Sequence, residues 1–321
     1  MALPVEGYQL KGISPKAYEH PADRAATGSL QSIPYLDRVA RKLVELGYER
    51  ALRQAYLGAS VRLGEDQLPN LWGLQVRAYR TLDVEPVPDL YLTQHLYGLP
   101  GAPAVPNAMA IGSRRPIIVM QSGLVALLGE EELFVVLAHE AGHVLSDHGL
   151  YRTALEIILR LSRLPGIPLP LAPLRAALVT RDPLSVCRVL MVMAGGGQAE
   201  NLDLDVFMRQ SEDYREKGSG LERLSRLMLD LGVTHPMPVR RVHELTQWVA
   251  SGDYDRIVAG TYQSRTDPVR PRADASDAVA HYAERAKSVF RDAGESINDV
   301  GKQVSDWLRG PEKPGGGGDA T

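Results

Sequence analysis

Apolar residues at Leu36, Val39, Leu43 and Leu46 recur every three or four positions, which predicts a helix over 33–63. Ser32 can cap its first turn, and Pro34 sits where a missing N–H costs nothing. The same spacing predicts a helix over 71–82. The pattern then changes to short runs of β-formers bounded by turn residues. These predict strands over 89–93, 107–111 and 116–120, with Gly112 to Arg115 as a hairpin turn between the last two. Helices are expected over 122–128 and 130–148. The second opens on Glu130, Glu131 and Glu132, where the helix dipole favours negative charge, and continues through an apolar interior from Leu133 to Ala138. Further helices are expected over 182–194, 202–217 and 219–231, and another from His235-Pro236 to Trp248.

Four segments lie outside this pattern. Residues 1–30 are polar and punctuated and read as a loose arm. Residues 266–275 read as a proline- and charge-rich linker between the domain over 31–265 and a helix over 276–310. On that helix Val279, Tyr282, Ala286, Val289, Ala293, Ile297, Val300, Val304 and Trp307 form one apolar stripe, a surface for a partner or for the domain itself. Its polar face mixes both charges, unlike the basic face that anionic lipid selects. The end, 311–321, contains four successive glycines and is expected to be disordered. The fold class is therefore α+β and mainly helical.

Net charge is −3 over 321 residues, which gives no general affinity for nucleic acid. One cysteine, Cys187, excludes an intrachain disulfide and suits a reducing compartment. The start lacks the basic and apolar regions of a secretion signal, and no segment reaches the ~18–20 uncharged apolar residues of a membrane span. The expected location is the cytoplasm. The apolar loop around 164–174 carries Pro165, Pro168, Pro170 and Pro173. It packs on the domain in the plainer reading and touches a membrane surface peripherally in the sharper one.

The chemistry concentrates in Leu137 to His148, LAHEAGHVLSDH, which contains His139-Glu140-x-x-His143. Residues four apart on a helix lie ~40° apart around its axis, so both imidazoles can reach one Zn²⁺. Glu140, ~100° from His139, stands beside the metal. There it can take a proton from the attacking water and pass it to the leaving amine. Two unpaired histidines and a glutamate on a buried helix would be costly without a common partner. The plain alternative is ordinary hydrogen bonding. His148 falls on the opposite side of a continuous helix and is assigned a structural role.

Asn107-Ala-Met-Ala, Ile117-Ile-Val, the run from Glu131 to His143, and His235-Pro-Met-Pro-Val-Arg-Arg-Val242 together resemble the HtpX-like family of zinc metallopeptidases, over about 71–249. The resemblance implies a zincin-like (gluzincin) domain with a small sheet, an HExxH helix, zinc held by His139 and His143, and Glu140 as the catalytic residue. It also implies that the edge strand near 107–111 pairs with an extended polypeptide substrate, with Asn107, Ala108 and Met109 as the substrate-binding residues. The family's third ligand sits in a Glu-x-x-x-Asp-Arg motif. With Arg175 matched to its arginine, Pro170 replaces the glutamate and Leu174 the aspartate. Glu156, Glu200, Asp203 and Asp205 are the substitutes in reach, and each also reads as a solvated charge. The expected function is a zinc-dependent metalloendopeptidase, its activity open to impairment because no third zinc ligand is identified. The alternative is an inactive pseudoprotease that binds polypeptides or a partner.

Overall fold

A computed structural model describes residues 7–19, 48–94, 107–112, 115–146, 173–196, 201–216 and 237–267. The described elements, in chain order, are α1 (Tyr48–Ala59), β1 (Val61–Leu63), α2 (Pro69–Thr81), β2 (Asp89–Thr93), β3 (Ala108–Ile111), β4 (Ile117–Gln121), α3 (Ser122–Leu127), α4 (Glu130–Leu145), α5 (Pro173–Thr180), α6 (Pro183–Gly195), α7 (Leu204–Glu216), α8 (Pro238–Ala250) and α9 (Asp253–Val258). The protein is mainly helical with one small sheet, as the sequence pattern predicts.

The sheet runs β1-β2-β4-β3. β1 is antiparallel to β2, β2 parallel to β4, and β3 antiparallel to β4. Alternation along the strands divides the side chains between two faces. Leu90, Ala108, Ala110, Ile118 and Met120 join the main core with the helices. Tyr91, Met109, Ile111, Ile117 and Val119 form a second cluster with Tyr56 of α1. The sheet is therefore apolar on both sides, which is why its central strands read as near-continuous apolar runs rather than alternating ones.

Helix α4 is the centre of the main core. It packs against α2, α5 and α6 and lies beside β3. Leu133, Phe134, Leu137, Ala138 and Ala141 along it are buried. Its start is fixed by Gly129, whose N–H donates to Glu132 Oε2 at 2.8 Å. α6 begins similarly: Asp182 accepts from the Leu184 N–H at 3.0 Å, and Pro183 occupies the first helical position.

Two expectations are corrected. The helix predicted through Leu63 ends at Ala59, and Val61–Leu63 form β1 instead. In strand geometry Leu63 is buried opposite Leu90 and joins the main core, while Val61, on the same face at the start of the strand, stays exposed. The N-terminal residues read as a loose arm include a packed segment. Leu10, Ile13 and Tyr18 are at most 2% exposed. The Leu10 N–H donates to Thr81 O, the Ser14 N–H to Gln263 O, and the Arg265 N–H to Gly12 O. Residues 7–19 and 261–267 thus form a strap across the domain. Asp83 anchors it, accepting from Gln9 Nε2 at 3.0 Å, the Gly12 N–H at 2.8 Å and Arg265 Nη2 at 2.7 Å. Two further helices, α5 and α9, were not anticipated. The helix predicted over 219–231, the helix over 276–310, the tail over 311–321 and the apolar loop before Pro173 lie outside the described residues. No helix among the described residues is long and apolar enough to cross a membrane.

Candidate metal centre

The C-terminal half of α4 carries the site. One helical turn separates His139 from His143, and their Nε2 atoms approach to 3.1 Å, with the rings nearly perpendicular at 88°. His143 and Glu140 are buried and His139 is half-buried. The two imidazoles present the same ring nitrogen to one point in space. Two nitrogens bound tetrahedrally at ~2.0–2.1 Å from one zinc would lie roughly 3.3–3.4 Å apart, so the observed spacing fits a shared metal ion. Imidazole nitrogen suits zinc and several other transition metals.

Glu140 projects from the same turn towards the sheet. Its Oε2 accepts from the main-chain N–H of Ala110 at 2.7 Å, a bond between α4 and β3 that fixes the carboxylate beside the histidine pair. Ligand atoms of His139, Glu140 and His143 all lie within 4.8 Å of one another. The charge of Glu140 also reaches Tyr79 on α2. Complete burial raises that phenol's pKa well above its usual value, and the nearby carboxylate raises it further.

The edge strand is set by its register. The Gln121 N–H donates to Asn107 O at 3.0 Å, which makes 107 and 121 a hydrogen-bonded pair. Antiparallel alternation then directs the peptide groups of Met109 and Ile111 towards β4, and those of Ala108 and Ala110 away from it. Of the three residues expected to meet a peptide, Ala108 turns its main chain away from β4. Asn107 does not, because its carbonyl accepts from the Gln121 N–H and its own N–H donates to Gln121 Oε1. Met109 does not: its main chain pairs inward and its side chain is buried in the opposite cluster. Ala110 falls within the strand expected over 107–111 but outside the three residues expected to bind substrate. Counting two residues on from Ala108 along a strand would have found it.

Among the described residues, His139, Glu140 and His143 are the one group able to hold a metal. Asp203 and Asp205 do not join it. Both are exposed, and Asp203 Oδ1 accepts from the Val206 N–H at the start of α7. His148, Glu156, Pro170 and Glu200 lie outside the described residues. α5 begins at Pro173 and packs on α4 through a segment whose Ala176 to Val179 are buried.

With this geometry in place, the comparisons with known proteins are specific. The sequence model of peptidase family M48 matches residues 92–249, a span that contains β3, β4 and all of α4. The plastoglobule-localized metallopeptidase 48, chloroplastic, of Arabidopsis thaliana is 32% identical over 275 residues, 77% of this chain and 76% of the relative. No solved structure matches.

Proposed function

This chain belongs to peptidase family M48, and from that premise we propose that it is a zinc-dependent endopeptidase acting on polypeptides. The observation that carries the proposal is the convergence of the His139 and His143 Nε2 atoms at 3.1 Å, with Glu140 held beside them. Zinc bound there supplies a Lewis acid that polarises the scissile carbonyl and makes the attacking water more acidic. Glu140 takes a proton from that water and returns it to the leaving amine. Its bond to Ala110 keeps the carboxylate aimed during both transfers, and the outer edge of β3 receives the extended substrate. Casein cleavage by purified protein tests this. Glu140→Gln should retain zinc and lose hydrolysis, whereas equal activity in the variant would remove Glu140 from the mechanism.

A second reading rests on matching Arg175 to the arginine of the family motif, a match that puts Pro170 and Leu174 where the motif has its acidic residues. On that reading the protein is a pseudoprotease that binds polypeptides. Zinc per chain after dialysis against a mild chelator separates the two. About one equivalent supports a third ligand and an enzyme; loss of the metal supports the binding module. A cytoplasmic location, a peripheral membrane contact and a partner for the helix over 276–310 belong to the proposal as well. Cell fractionation of the full chain and of a chain truncated after residue 275 tests all three.

A further inference from the structure

Two of the helices packed on α4, α2 and α5, end in an unusual way. The residue just past each, Asp83 for α2 and Arg181 for α5, has a left-handed backbone, with φ of 56° and 54°. At Asp83 the turn is a Schellman closure. The Asp83 N–H donates to Arg80 O at 3.1 Å and the Val84 N–H to Tyr79 O at 3.0 Å. Glycine usually fills such a position, because a side chain strains it. Among the described residues, Leu68 alone shares this conformation outside glycine. A side chain kept at both helix ends therefore points to a use for it.

Both side chains grip the strap. Asp83 accepts from Gln9, Gly12 and Arg265. Arg181 places its guanidinium 4.7 Å over the Tyr8 ring. The Tyr8 hydroxyl is buried with no hydrogen-bond partner among the described residues, so the ring is what Arg181 holds. Two residues on, the Leu10 N–H donates to Thr81 O at 2.8 Å. Between Tyr8 and Gly12 the strap is thus fastened to the ends of both helices. Its other half secures it from outside: Ile13 bridges to Ser264, and Ser264 Oγ donates to Gly12 O at 3.2 Å.

We propose that the strap is a releasable latch on the metal helix. Asp83 and Arg181 fasten it across the ends of α2 and α5, and the closed latch fixes α5 against α4. The packing of Ala176 to Val179 on α4 then helps to lock the side chains that hold the metal. Opening the latch frees the end of α5 and lets bound zinc leave, while α4 itself stays helical. Residues 7–19 and 261–267 come from the two ends of the described chain, so an event that draws away either segment opens the same latch. The consequence for zinc rests on the peptidase reading; the latch does not.

The test uses the zinc-loaded full chain as Arg181→Gly, Arg181→Lys and Tyr8→Ala. Glycine eases the end of α5 and removes the grip, so a residue that only ends the helix and one that holds the strap predict opposite signs. Amide exchange at Leu10 and Ser14 should be roughly two- to fivefold faster in Arg181→Gly, the effect of one exposed cation–π contact. Val179 in α5 should follow by the same factor, with Leu137 and Ala138 in α4 unchanged. Arg181→Lys keeps a cation over the ring and should restore native exchange, and Tyr8→Ala should match or exceed Arg181→Gly. Zinc release to a chromogenic chelator should accelerate by the factor seen at Leu10, because the metal leaves from the open form. Unchanged or slower exchange at Leu10 in Arg181→Gly overturns the latch. Faster exchange at Leu10 with Val179 and zinc release unchanged overturns its hold on the metal helix. A chain that retains no zinc at the outset refutes the metal reading, and exchange at Leu10 and Val179 still decides the latch.

Discussion

Replacing Asp83 with alanine should detach the strap that closes the domain while leaving the helical core intact. The carboxylate accepts three hydrogen bonds, from Gln9, Gly12 and Arg265. The Arg265 ion pair is 37% exposed on each side, so solvent screening reduces it to about 0–1 kcal/mol. The Gly12 N–H is a charge-assisted donor held at 2.8 Å, and its loss costs roughly 1–1.5 kcal/mol. Asp83 also has φ of 56°, a conformation aspartate tolerates better than alanine, which adds about 1 kcal/mol. The sum is about 2–3.5 kcal/mol, or roughly 30- to 400-fold in a local opening equilibrium. Amide hydrogen exchange is the assay. Leu10, Gly12, Ser14 and Arg265 should exchange faster by that factor in Asp83→Ala, and by much less in Asp83→Asn, which keeps an acceptor oxygen and the backbone preference. Amides of Leu137 and Ala138 in α4 should be unchanged. Unchanged protection at Leu10 and Gly12 would refute the anchoring role, and equal losses in α4 would refute the idea that the strap opens by itself.

The remaining expectations concern the core and the site. Phe134 is 1% exposed, with the Arg77 guanidinium 4.4 Å above its ring, so Phe134→Ala should cost about 3–5 kcal/mol by denaturant titration; under 1 kcal/mol would mean the site collapses around the gap. Burial pushes the Cys187 thiol up to about 12 from 9.0. Native protein at pH 8 should therefore not react with a thiol reagent until it unfolds, and immediate stoichiometric labelling would contradict its burial. The same shift has a sign for stability. Below pH ~9 the thiol is protonated in both states and its contribution is fully present. Between about 9 and 12 the unfolded chain loses a proton the folded chain keeps, so stability should fall with rising pH by up to about 1.4 kcal/mol per unit from this group. His139→Ala should abolish zinc binding by elemental analysis, and retained stoichiometric zinc would place the metal elsewhere.

How much of this was legible beforehand depended on whether the controlling interactions were local. α4 could be read because three glutamates mark its start, an apolar run fills its interior and the two histidines repeat at one helical turn. The central strands could be read because a sheet buried on both faces needs apolar runs. β1 could not: three residues are too few to show a strand period, and Leu63 continues the apolar spacing of the helix before it. The strap was hidden for a different reason. Its residues look polar and unstructured in isolation, and their partners lie at Thr81, Asp83 and Gln263, far along the chain. The histidine pair and Glu140 could be named from spacing alone. The part played by Ala110 could not, since it depends on the register between β3 and β4 and on the distance from α4 to the strand.

The covered donors of β3 also bear on how this protein behaves at high concentration. Two identical sheet edges join into a continuous ladder only if each supplies N–H groups to the other's carbonyls. Here two copies meeting along β3 would bring carbonyl oxygens against carbonyl oxygens, because the outward N–H groups already point at Asn107 and Glu140. Ala108 and Ala110 are also only 5% and 7% exposed, so the strand offers a second copy little open surface to pair with.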